Sequence, residues 1–441
     1  MADSRLCRLL SLLCALALVL LSVSGCGTKG QSTAEQETKV PETISRPQLN
    51  LWYTDEALTE YLEAAAFSYT EVDDEIRIQP VLVSGTEFIN TLYNSSLEEE
   101  NIPDLYLISN DFMEKAYLAG LAEPLPLPEI PEEELPVSSF AEPIPPKSFV
   151  NEETFPVAAV NAVTYNGRQM GYPFYFQTSA FLYNKSYLNE TGESEPPKTI
   201  QAIEDFANEH DAPGGLESFF SWDVTDIFYN YFFVGGVIDL GGECGDDPEK
   251  IVLDDPAAVR ALTLYQGLNQ FFSIDSSEVS YDKVLQEFRE GKLMFTVATT
   301  GAVAALAEAK ERGELPYDYA FSVLPDIDEG VPSRSLSVTE ALCVNGFGER
   351  KEKAHQFAEY LTTVYADSLY ARTGKVPACR AAAAKIPGME AFLEEYENST
   401  PIPKMIETGA LWVKLEIAFT RIWEGGSVEE EIRQLQGEMS E

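Results

Sequence analysis

The sequence predicts an α/β protein built on doubly wound sheets with helices on their faces. Three observations predict it. Apolar periodicity switches repeatedly between strand and helix spacing. Each of the first three strands is followed by a turn and a helix. A chain of 441 residues, 45% hydrophobic and 23% charged, is long and apolar enough for two or three folded units.

The elements follow in order. Leu49–Tyr53 (LNLWY) alternates as a short strand, and Asp55 can cap the helix of TDEALTEYLEAAAFSY. Arg77–Val83 (RIQPVLV) is a second strand, although Pro80 counts against a central place. Ser84-Gly85-Thr86-Glu87 opens an amphipathic helix carrying Phe88, Ile89, Leu92 and Tyr93. Asp104–Ile108 (DLYLI) is a third strand, and Ser109-Asn110-Asp111 leads into FMEKAYLAG with Glu114 spaced as in a capping box. Three βα units in succession imply a parallel sheet. Ligands of such sheets sit beyond the carboxyl ends of the strands, so Tyr53–Glu56, Ser84–Thr86 and Ser109–Asp111 are expected to share one crevice. Free N–H groups at the helix starts add donors there.

Glu123 to Lys147 holds eight prolines and six glutamates, which excludes regular helix and central strand. It reads as an extended crossover between two lobes. Asn151–Val163 reads as helix, and Gly171–Tyr183 (GYPFYFQTSAFLY) as one aromatic β run. A second α/β region follows, with helices at 199–210, 222–233, 256–272, 282–290 and 301–310 and strands at 216–220, 293–298 and 320–324. The tail is helical, its last helix opened by the cap Ser427-Val428-Glu429-Glu430.

The N-terminus gives the location. Arg5 and Arg8 precede an apolar run, Leu9 to Leu21, too short to span a membrane with these flanks. It ends Val23-Ser24-Gly25-Cys26, like a bacterial lipobox. Residues 1–25 are thus expected to be a signal peptide, Cys26 the lipidated residue, and 26–47 a polar, aperiodic tether. With 73 Asp+Glu against 30 Lys+Arg, the net charge of −43 argues against nucleic-acid binding. Two histidines, His210 and His355, leave little room for histidine chemistry or a His-rich metal site. Cys244, Cys343 and Cys379 remain beyond Cys26 and read as free thiols, with Cys343–Cys379 the alternative bridge. Asp326 to Gly330 glances at a calcium loop but lacks its later ligands, so no metal or cofactor is expected.

With these pieces in place the chain resembles the extracellular solute-binding proteins of ABC importers, in the sugar-binding, maltose-binding-protein-like family. LNLWYTDE, DLYLISNDFMEKAYLAGLAEPL, GYPFYFQTSAFLYNKSYL, FREGKLMFTVATTG, RTGKVPACRAA and GGSVEEEIRQLQ carry the resemblance in their order and spacing behind the lipobox. It implies a two-lobe periplasmic-binding-protein-like fold, each lobe a doubly wound sheet flanked by helices, with the ligand cleft between. The implied bounds are 48–124 plus 334–382 for lobe one and 172–333 plus 383–441 for lobe two, with 125–171 between them. It also implies closure by a hinge, a carbohydrate ligand, ABC permease subunits as partners, a lipid anchor in the membrane and a monomeric state.

Carried over position by position, Trp412 matches a cleft tryptophan of the family, and Tyr53, Thr54 and Asp55 fall where the first βα loop meets ligand. Gly85, Ser109 and Asn110 belong to the same crevice. Tyr175 and Phe176 fall near the crossover, Trp222 opens a lobe-two helix, and Glu340 lies on a strand that brings polar groups to the cleft. Aromatic faces suit sugar rings, and side-chain oxygens suit hydroxyls. The sequence departs from the family at Ala298-Thr299-Thr300-Gly301, where the usual tryptophan is missing and Thr300 is left to line the wall. Trp52 and Trp423 read as core. Arg372 and Lys375 either pair with acidic surface or meet an anionic ligand. Competing functions are a secreted carbohydrate-active hydrolase, for which no nucleophile or metal motif appears, and a sensing or adhesion lipoprotein using the same cleft.

Overall fold

The computed structural model describes residues 46–98, 102–127, 148–405 and 411–439. Cys26, the leader, nearly all of the tether and most of the Pro/Glu-rich segment lie outside the described residues. In chain order the principal strands are β1 (Gln48–Tyr53), β2 (Arg77–Leu82), β3 (Pro103–Ser109), β4 (Tyr172–Gln177), β5 (Ser179–Asn184), β6 (Ser218–Phe220), β7 (Leu293–Thr299), β8 (Tyr319–Ser322), β9 (Leu336–Val344), β10 (Val376–Pro377) and β11 (Thr400–Pro401). They form two sheets of different lobes, ordered β10-β4-β9-β3-β1-β2, with β11 beside β9, and β8-β5-β7-β6. Each lobe has its own large hydrophobic core.

The βα reading holds best in the first lobe. Period-two alternation buries Leu49, Leu51 and Tyr53 on one side of β1 and leaves Trp52 partly buried against the same core. Asp55 accepts the Ala57 N–H at 3.0 Å and opens a short 3₁₀ turn ahead of the helix Thr59–Tyr69. Pro80 is tolerated because β2 is the sheet edge. β1 pairs in parallel with both β2 and β3, as the three units predict.

The sheets are nevertheless mixed and not uniformly parallel. β9 runs antiparallel between β3 and β4, and in the second sheet only β6 and β7 are parallel. The direction of β9 is set by how the chain returns from the other lobe, which apolar periodicity does not encode. The run Gly171–Tyr183 is likewise two strands in different sheets, divided at Thr178.

That division places the first passage between lobes. Thr178 Oγ1 lies 3.0 Å from both Ser335 Oγ and the Leu336 carbonyl, at the second passage. The third runs beside it, with Leu336 paired to Thr400 and Ser399 Oγ donating to Ser337 Oγ at 2.7 Å. Three short, mutually bonded passages make a hinge. β4 therefore belongs to the first lobe. So does the helix Glu390–Asn398, whose Phe392 and Tyr396 sit in the first core, although the expected bounds put both segments in the second. Leu125 and Val150, on either side of the Pro/Glu-rich segment, also pack in the first core; the expected crossover itself falls on residues 128–147, outside the described residues.

The expected helix 222–233 is a loop followed by one turn of helix, Ile227–Asn230, and a 3₁₀ turn. The Asp223 carboxylate causes this, accepting the Thr225 N–H at 2.9 Å and the Tyr281 N–H at 2.9 Å. Cys244, Cys343 and Cys379 are free thiols. Among the described residues no helix is long and apolar enough to cross a membrane.

One buried carboxyl ties the lobes. Glu395 accepts the Leu324 N–H of the second lobe at 2.5 Å, and burial pushes it up to about 7 despite that bond and one from Ser335. An acid raised in the fold stabilises fully below its unfolded value of about 4.3, and the contribution is lost as pH rises through 7. Urea unfolding is therefore expected to give Glu395→Gln a smaller stability drop between pH 5 and pH 8 than the parent, by on the order of 2–3 kcal/mol. Equal slopes for parent and variant would remove Glu395 from the titration.

Candidate functional site

The carboxyl ends of β1, β2 and β3 converge on a cavity of about 460 Å³. They face the hinge because β3 and β4 run the same way, each antiparallel to β9, and β4 ends one residue before Thr178. Thr54 comes from the first loop, and Gly85, Glu87, Phe88 and Ile89 from the second. Ser109, Phe112 and Lys115 come from the third, and Glu340 rises from β9 opposite Ser109. The lining thus joins hydroxyls, the carboxyls of Glu87 and Glu340 and the Lys115 ammonium to two phenyl rings, a combination that fits a polyol with apolar ring faces. A groove of about 650 Å³ on the outer face of lobe one lies at no strand end.

Several sequence-predicted residues meet here. Thr54, Gly85, Ser109 and Glu340 line the cavity itself. Asp55 and Tyr175 stand beside it, linked by Lys375, whose ammonium lies 2.5 Å from the Asp55 carboxylate and 4.8 Å over the Tyr175 ring. Burial acts to raise Asp55, but the Lys375 ammonium and the Ala57 N–H outweigh it and hold the carboxyl below its ordinary value. Lys375 is therefore engaged with acid, the first of the two roles its sequence suggested. Burial pushes Glu340 up to about 8, with the Asp111 and Asp55 charges adding and Lys375 opposing. Glu87 starts its helix in the left-handed region at φ 53°, a conformation uncommon for a non-glycine residue and placed here on the cavity wall.

Five other residues singled out by sequence are buried in packing or hinge roles. Tyr53 is 2% exposed and its hydroxyl donates to Thr59 at 3.0 Å. Phe176 stacks face to face on Tyr396 at 3.9 Å inside the first core. Asn110 is fully buried. Its amide donates to the Ile402 carbonyl at 2.7 Å and accepts the Thr339 N–H at 2.9 Å, fastening the third passage to β9. Thr300 is buried, with its N–H on the Thr178 carbonyl at 3.2 Å. Trp222 has no exposed surface and its indole N–H donates to Asn230 at 2.8 Å. Trp423, expected in the core, is 2% exposed.

On the second lobe, β7 ends at Thr299, paired with Ser179 beside the first passage. Tyr281 reaches this end. Its hydroxyl lies 3.0 Å from Thr299 Oγ1 and accepts the Thr299 N–H at 3.0 Å, while its ring stacks on Tyr229 at 4.8 Å. An aromatic pair thus stands at the strand end where the sequence showed no tryptophan. Trp412 is partly buried in the first turn of the helix Leu411–Trp423, edge-on to Tyr231 at 6.2 Å. Phe88, Phe112 and Lys115 were read only as helix residues, and their nearness to strand ends was the available signal. Tyr281 was not singled out, because the strand end it meets lies eighteen residues further along the chain.

Several known proteins are similar to this chain. A galactooligosaccharide-binding protein of Bacillus subtilis is 21% identical over 431 residues, covering 93% of this chain and 91% of that one. The maltodextrin-binding protein MdxE of the same organism is 24% identical over 284 residues, 60% of this chain and 64% of that one, so this second match spans less than two thirds of the relative. An extracellular solute-binding protein of Staphylococcus aureus solved with maltose superposes with a TM-score of 0.73 at 16% identity, over 89% of this chain and 96% of that one. A cyclo/maltodextrin-binding protein solved with maltotetraose gives 0.71 at 18% identity, over 90% and 98%. These likenesses establish the two-lobe fold. Residues 52–364, most of the described body and all three loops of the cavity, match the family itself: the chain belongs to the bacterial extracellular solute-binding proteins.

Proposed function

We propose that the protein captures a carbohydrate, a sugar or oligosaccharide, by closing its lobes and delivers it unaltered to the permease subunits of an ABC importer. In this reading a lipid on Cys26 holds a monomeric body at the outer face of the cell membrane. The observation that carries it is the cavity of about 460 Å³ where hydroxyls, two carboxyls and phenyl rings meet beside a three-passage hinge. Relatives named for galactooligosaccharides and maltodextrins support the ligand class. Micromolar capture corresponds to about −8 kcal/mol, and moving a lobe equilibrium from 1:99 to 99:1 takes about 5.5 kcal/mol of preference for the closed form.

Thermal shift against maltodextrins and galactooligosaccharides tests the reading, because a ligand at 100 times its dissociation constant adds about 2.7 kcal/mol to stability. Stabilisation by a glycan recovered intact is expected. A glycan cleaved on incubation would point to the hydrolase instead. The anchor has its own test. Cys26→Ala is expected to move the protein from the membrane fraction to the medium, and retention in the membrane would contradict lipidation there.

A further inference from the structure

The cavity holds an acid that nothing in the protein uses. Among the described residues the Glu340 carboxyl makes no hydrogen bond and no ion pair, yet it lines the cavity between Ser109 and Tyr175, its register partners on β3 and β4. Its surroundings oppose ionisation. Asp111, at the end of β3, lies close enough to repel it, and one Asp111 oxygen is itself buried without a partner. Asp55 faces it from the end of β1. Lys375, the cation that reaches it, is engaged by Asp55 and by the Tyr175 ring. Lys115, which also lines the cavity, sits over the Phe112 ring, 5.2 Å from its centroid.

We infer that Glu340 meets the ligand as a neutral carboxyl group, donating its proton to a sugar oxygen, in a cleft whose Asp55 and Asp111 charges favour uncharged over acidic glycans. The inference rests on the carbohydrate reading and deepens it. A neutral carboxyl offers one donor and one acceptor, the pairing a sugar hydroxyl uses. An ionised one would offer acceptors only, and the Asp111 and Asp55 charges that oppose its ionisation oppose a bound uronate in the same way. The raised value of about 8 keeps the group protonated at neutral pH. Affinity should then fall as pH passes that value. If the bound carboxyl stays protonated, the loss between pH 6 and pH 9 is about tenfold.

The experiment is calorimetric titration at pH 6, 7, 8 and 9 with maltotriose, with a galactotriose, and with trigalacturonate as the acidic probe. The parent protein is expected to bind a neutral trisaccharide, to lose about tenfold of that affinity by pH 9, and to bind trigalacturonate at least about tenfold more weakly. Glu340→Gln keeps a donor and an acceptor without a titrating proton. Whatever affinity it shows at pH 6, it is expected to keep to pH 9. Glu395 and Lys404, at the lobe passages, also titrate in this range, and their effect would survive in the variant. A variant that loses affinity with pH as steeply as the parent therefore overturns the inference. Neutral-sugar binding by the parent that is flat in pH, or a parent preference for trigalacturonate, overturns it and leaves the carbohydrate reading standing. No binding of any neutral glycan at any pH overturns both.

Discussion

Trp222→Ala is expected to lower the unfolding free energy by about 3–5 kcal/mol, the range for removing a buried aromatic from a packed core. The indole stacks on Phe220 at 4.6 Å, packs edge-on to Trp423 at 5.6 Å and meets Phe233 at 5.8 Å, so alanine leaves a void in the second lobe. It also strands Asn230, which holds the Asp223 loop through its bonds to the Asp223 and Asp226 carbonyls. Trp222→Phe keeps most of the volume and should cost about half as much. Urea unfolding of the ligand-free protein checks this. Stability unchanged within about 0.5 kcal/mol, with glycan affinity lost, would return Trp222 to the cleft wall.

Gly85→Trp is expected to do the reverse, abolishing binding while sparing the fold. The glycine lies on the cavity wall at the end of β2, and an added Cβ would meet only the Thr54 Cβ, at an ordinary 3.8 Å. Its φ lies outside the region reserved for glycine, so a side chain adds no backbone strain. From the cavity wall the indole can fill the cavity, where it competes for the ligand's own space. The expected result is a glycan affinity at least about 100-fold weaker, roughly 2.7 kcal/mol, with a melting temperature within a few degrees of the parent. Binding retained within about threefold would show that the ligand lies elsewhere.

Both predictions mark the boundary of what the sequence carries. Local chemistry was legible: β1 alternates, Asp55 caps, and loops after three strands were expected to share a crevice that Thr54, Gly85 and Ser109 do line. What was not legible depends on distant chain. Gly171–Tyr183 is strongly β-forming on both sides of the polar Gln177-Thr178-Ser179, and three polar residues within such a run do not announce that Thr178 separates two sheets. Asn110 lies between Ser109 and Asp111 and shares their polarity. It nevertheless turns inward, because the N–H and C=O it satisfies belong to Thr339 and Ile402, more than two hundred residues away. The same limit separates the two tryptophans. Trp412 and Trp222 look equally suited to a sugar, and only packing shows one partly exposed and the other enclosed.

The closing of two lobes on a sugar is tested most directly by small-angle scattering of the protein with and without a glycan shown by calorimetry to saturate it. The account predicts a smaller radius of gyration in the saturated sample. An unchanged radius with the glycan bound would mean that the hinge at Thr178, Ser335 and Ser399 does not move, and capture by closure would be wrong.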